Sequence, residues 1–90
     1  MLTGQSGEVS LVFDPACYCS ESIMRAYKGN QLSWTTRKRN MNLAQLANWL
    51  KDETLISKAR DVYIDSTGIG MGIYDRFQAF GLSDVNIMEV

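Results

Sequence analysis

The sequence predicts an α/β domain, a mixed β-sheet covered by helices, with its elements in the order β-β-β-α-β-α-β. Three observations predict it. Short apolar runs bounded by turn residues recur along the chain, which is the pattern of strands. Two stretches carry apolar residues at helical spacing and lie between the last three of those runs. A strand–helix–strand step needs a crossover, so the strands it joins run parallel, whereas a tight turn joins antiparallel ones. Ninety residues hold one small domain, spanning 1–90, with a thin core.

The first run is Val9-Ser10-Leu11-Val12-Phe13. Asp14-Pro15 ends it, because proline donates no ladder hydrogen bond. Ser22 to Tyr27 and Leu32 to Arg37 follow as two extended segments around Lys28-Gly29-Asn30-Gln31, where Gly and Asn tolerate the positive φ of a hairpin turn. The period then changes. Leu43, Leu46, Ala47 and Leu50 fall at i, i+3, i+4 and i+7, one stripe of a helix that Asn40 or Asn42 can cap. Lys51-Asp52-Glu53-Thr54 reads as a polar break after it. Asp61-Val62-Tyr63-Ile64-Asp65 is a buried strand, and Ser66 to Gly72 is too glycine-rich to continue it. A second helix places Ile69 or Ile73, Phe77 and Phe80 on one face and stops at Gly81. Val85 to Val90 supplies the last strand. The aromatic residues, from Tyr18, Tyr27 and Trp34 to Trp49, Tyr63, Tyr74, Phe77 and Phe80, are mostly core candidates by period, and Met24, Met41, Met71 and Met88 fill gaps or edges.

Composition removes several chemistries. There is no histidine, so neither a Ser–His–Asp triad nor a His-based zinc site can be built from this chain alone. Cys17 and Cys19 stand one residue apart with no second pair, which suits reduced thiols rather than a zinc cage or a disulfide scaffold. A net charge of −1 gives no global basic field. No segment has the length of a membrane span and none reads as a secretory signal, so the expected location is the cytoplasm.

Asp14 and Asp65 each follow the apolar run of a strand directly. On parallel neighbouring strands both would project at the carboxyl edge of the sheet, where ligands bind in open α/β folds. Two carboxylates that close repel unless a cation lies between them or one takes a proton, and an oxygen-only pair suits Mg²⁺ or Mn²⁺. The plain alternative is that each aspartate merely ends its strand. Gly68-Ile69-Gly70-Met71-Gly72 invites a nucleotide-binding reading, but it departs from G-x-G-x-x-G and has no P-loop lysine. Glycines that let the chain pass Asp65 tightly explain it better. Thr36-Arg37-Lys38-Arg39 is the one dense basic cluster. Arg37, Lys38 and Arg39 are candidates for a nucleic-acid backbone, and serve equally as a charged guard on a sheet edge.

The stretch from Val62 to Phe77, with Asp65 ending a strand, the Gly68-Ile69-Gly70 run and Ile73-Tyr74-Asp75-Arg76-Phe77 opening a helix, resembles the nuclease domain of tailed-phage terminase large subunits. Asp14-Pro15-Ala16 after Leu11-Val12-Phe13 is similar to the first acidic motif of that family. The resemblance spans about Val9 to Val90 and implies a ribonuclease H-like mixed sheet without the family's C-terminal helices. It also implies a Mg²⁺- or Mn²⁺-dependent endonuclease that cuts double-stranded DNA in viral genome packaging, with Asp14 and Asp65 as catalytic, metal-binding carboxylates of a two-metal site. Asp75 is then structural. The family's third carboxylate belongs to a segment beyond the last core strand, and Glu89 is poorly placed to replace it. The ATPase motor is absent as well, so implied partners are DNA, an ATPase half or another terminase subunit. The competing expectation is a non-catalytic interaction module, such as a prophage remnant, that self-associates through uncovered apolar surface; a small nucleotide-binding domain comes third.

Overall fold

A computed structural model describes residues 8–16, 20–65 and 68–90. The expectations for Cys17, Tyr18, Cys19, Ser66 and Thr67 lie outside the described residues. The elements are β1 (Val9–Asp14), β2 (Glu21–Lys28), β3 (Gln31–Arg39), α1 (Leu43–Ser57), β4 (Asp61–Ile64), α2 (Gly70–Ala79) and β5 (Asn86–Glu89). The predicted order β-β-β-α-β-α-β is the observed one.

The five strands form one sheet in the order β3-β2-β1-β4-β5. β1 pairs antiparallel with β2, and β2 with β3, while β4 runs parallel to both β1 and β5. Each helix therefore sits in a crossover, which is why the sheet is mixed.

Both helices cover the same face. Strand residues alternate sides, and Leu11, Phe13, Met24, Ala26, Val62 and Ile64 point into a core shared with Leu46, Trp49 and Leu50 of α1 and Ile73 and Phe77 of α2. The rings of Phe13 and Trp49 meet edge to face, with centroids 5.4 Å apart. The intervening residues Ser10, Val12, Ile23, Arg25, Tyr27 and Tyr63 occupy the opposite face and are half-buried. Tyr27 and Tyr63 are thus not part of the core, contrary to the reading by period: the two-residue repeat of a strand sets them on the side opposite both described helices.

A second correction concerns the first helix. Lys51-Asp52-Glu53-Thr54 does not break it; the helix continues to Ser57. Thr54 is buried and its hydroxyl donates to the Leu50 carbonyl at 2.7 Å, so a polar residue occupies the inner face without an unpaired group. The start is set by Asn42, not Asn40. The Asn42 side chain accepts from Gln45 N–H at 2.8 Å while the Gln45 side chain accepts from Asn42 N–H at 2.9 Å, a reciprocal cap. Lys58 closes the helix in the left-handed region, at φ 58°.

Candidate metal and nucleic-acid site

Asp14 is the last residue of β1 and is exposed; Asp65 follows Ile64 at the end of β4 and is half-buried. The parallel register sets Phe13 opposite Ile64. Asp65 N–H donates to the Phe13 carbonyl at 3.0 Å, which carries the ladder one residue further and sets Asp65 beside Asp14. Neighbouring strands lie about 4.8 Å apart. The two aspartates thus occupy adjacent positions at one edge of the sheet, the carboxyl ends of two parallel strands.

Two local features hold them there. Ser22, buried on β2, accepts from Ala16 N–H at 2.8 Å and donates to the Ala16 carbonyl at 3.2 Å, fixing the chain just beyond Asp14. On the other strand, the first residue of α2 packs on the backbone of Asp65. A Cβ at Gly70 would collide with the Asp65 carbonyl, so only glycine lets the helix begin this close to the strand end. Gly72 serves the helix pair, since a Cβ there would press on the Leu43 methyl groups at 3.3 Å. Packing thus accounts for two of the three glycines in the run.

Glu89 pairs in register with Ile64 and so reaches the same edge, on β5. The pleat gives it the face of Ile64, opposite to that of Asp14. Among the described residues, no group of three or more acidic or sulfur ligands gathers. The donor chemistry of the pair, carboxylate oxygens without nitrogen or sulfur, fits a hard divalent cation.

The basic cluster is divided by the same alternation. Arg37 and Arg39 pair across β2 with Ile23 and Glu21, and Ile23 in turn pairs with Asp14. They therefore share the face and the edge of Asp14, two strands away. Lys38 pairs with the buried Ser22 and turns to the helix side, where its Nζ lies 5.1 Å from the centre of the Trp49 ring. Three residues contiguous in sequence do not form one patch.

No protein-family model matches this sequence, and no curated protein does. Its shape is more informative. The chain superposes on the nuclease domain of the large terminase subunit of bacterial virus Sf6 with a TM-score of 0.82, at 17% identity, over 94% of this chain and 38% of that one. The fold is the ribonuclease H-like fold of a terminase nuclease domain. A mutant of the Sf6 terminase nuclease domain, in a structure with manganese, superposes with a TM-score of 0.79 at the same 17% identity, over 96% of this chain and 38% of that one. A Bacteroides thetaiotaomicron protein described as having an actin-like ATPase fold and unknown function gives 0.69, at 6% identity, over 94% of this chain and 33% of that one. At such identities the likeness is one of fold. This chain spans less than two-fifths of the terminase nuclease domains it matches. Among the described residues, no helix is long and apolar enough to cross a membrane.

Gly70 and Ser22 hold the two aspartates of the candidate site in place, and neither stands out in the sequence for that role. The glycine run drew attention to Gly70, but only the crossover shows that its missing Cβ makes room for Asp65. Nothing in the sequence around Ser22 marks it.

Proposed function

We propose that this chain is the catalytic core of a divalent-metal-dependent endonuclease acting on double-stranded DNA, with Asp14 and Asp65 as the carboxylates that hold the metal. The observation that carries the reading is their adjacency at the carboxyl ends of two parallel strands, in a terminase nuclease fold. Mg²⁺ or Mn²⁺ bound there supplies the activation of a water and the neutralisation of charge developing on a phosphate. The protein's own contribution is to hold two negative charges close together: the β1–β4 ladder fixes their spacing, Ser22 steadies the chain after Asp14, and Gly70 lets α2 brace Asp65. DNA packaging, with an ATPase subunit as partner, is the setting in which such an activity belongs.

The test is cleavage of plasmid DNA with Mn²⁺ by the wild-type chain and by Asp65→Asn. Removal of a residue that merely supports a metal ligand typically costs 10–100-fold, so loss of a ligand is expected to reduce cutting by more than about 100-fold. Equal cutting by both proteins would overturn the assignment. A second reading, a non-catalytic module, is favoured by the absence of a third acidic ligand near the pair among the described residues. It predicts that neither protein cuts and that Mn²⁺ does not bind.

A further inference from the structure

The face of the sheet opposite the two described helices carries positive charge on one side and the two aspartates on the other. Arg25, in the middle of β2, pairs with Val12 on β1 and with Thr35 on β3. It therefore lies on the same face as Asp14, Arg37 and Arg39. Diagonal neighbours on a sheet face are about 7–8 Å apart, which is the relation of Arg25 to Arg37. Arg37 and Arg39 are two residues apart along one strand, about 6.7 Å. The three arginines thus form a line that climbs β2 and β3 toward the edge occupied by Asp14 and Asp65.

Their environment leaves the charges usable. Arg25 is half-buried, its stem flanked by Val12 and Ile23, and it makes no ion pair among the described residues. Arg37 meets Glu21 at 3.6 Å, but both side chains are about half exposed, and an exposed pair of that kind holds its partners weakly. Lys38, between Arg37 and Arg39 in sequence, is directed to Trp49 on the other side.

We infer that Arg25, Arg37 and Arg39 form the track on which the sugar–phosphate backbone of the DNA lies as it enters the site, and that Lys38 is not part of it. The inference rests on the nuclease reading for the identity of the polyanion, and it replaces a cluster defined by sequence with one defined by the pleat. Each arginine neutralises a phosphate and releases condensed counterions, so binding weakens with salt. The acidic half of the face repels the same backbone until divalent cations neutralise it. The backbone is therefore held along the basic half, and a divalent cation held by Asp14 and Asp65 would offset the repulsion at the acidic half.

The experiment is the salt dependence of binding to a fluorescein-labelled 20-base-pair duplex, followed by anisotropy in Ca²⁺ between 50 and 200 mM salt. It compares the wild-type chain with Arg25→Ala, Arg25→Lys and Lys38→Ala, each checked for folding by circular dichroism. Arg25→Ala is expected to lower the magnitude of the log–log slope by about 0.9. Arg25→Lys should retain the slope, and Lys38→Ala should leave it unchanged. A folded Arg25→Ala with the wild-type slope overturns the track, as does a wild-type chain that fails to bind at 50 mM salt. Parallel cleavage assays in Mn²⁺ separate the two ideas. Cutting with an unchanged slope in Arg25→Ala removes the track alone, whereas a lost slope without any cutting removes the nuclease reading and keeps a nucleic-acid surface.

Discussion

Gly70 is where a single atom decides the geometry of the site. Its Cα lies against the Asp65 carbonyl, with no room for a methyl group. Gly70→Ala is expected to destabilise the fold by about 1–3 kcal/mol, because overpacking forces backbone to move. It should also reduce Mn²⁺ affinity by displacing Asp65, which separates it from a substitution that only weakens the core. Denaturant unfolding and metal titration of the variant measure the two effects. Lys58 offers the opposite test. It is a non-glycine residue held at φ 58°, ψ 41°, a region in which glycine carries no Cβ penalty. Lys58→Gly should therefore raise stability by roughly 0.5–1 kcal/mol, read as a higher urea midpoint at an unchanged slope.

At the scale of elements, α1 depends on its cap and on its neighbours more than on the stripe that announces it. The reciprocal Asn42–Gln45 pair satisfies two backbone donors at its start. Asn42→Ala is expected to cost about 1 kcal/mol in thermal or denaturant unfolding. The last turns of α1 persist although Lys51 to Thr54 read as a break, because Thr54 bonds within the helix and neither glycine nor proline interrupts it. β3 shows the converse: its extent to Arg39 is set by pairing with Glu21 on β2, a partner that local propensity does not identify. The hairpin, the crossovers and the order of elements were legible because each rests on a local period or turn signal. Which face each strand residue would meet was not, since a period of two leaves both sides open until the helices choose one.

For the molecule as a whole, the candidate site joins two strands separated by about half the chain, so it exists only in the folded state. A cation bound between Asp14 and Asp65 must then stabilise the fold. Mn²⁺ at 100 times its dissociation constant is expected to add about 2.7 kcal/mol. For a domain of this size that corresponds to a rise in melting temperature of about 10–20 °C. EDTA should reverse the rise, and Asp14→Asn should abolish it; an unchanged melting curve would show that the pair holds no metal. Phe13, one residue before Asp14, ties that edge to the core through its contact with Trp49. Phe13→Ala should cost about 3–5 kcal/mol, enough to threaten a domain with so thin a core.

The amino-acid order alone determined the sequence of strands and helices, the two aspartates at strand ends and the glycines after the second of them, because strand breaks, helical spacing and turn residues are properties of neighbours along the chain. The tertiary structure decided the rest. It placed β1 and β4 side by side in a register that brings Asp14 next to Asp65, and it put both helices on one face. It also parted Lys38 from Arg37 and Arg39 while adding Arg25 to them. Those outcomes depend on pairing between segments far apart in sequence, and the burial of Leu11, Phe13, Val62 and Ile64 against α1 and α2 is the force that selects them.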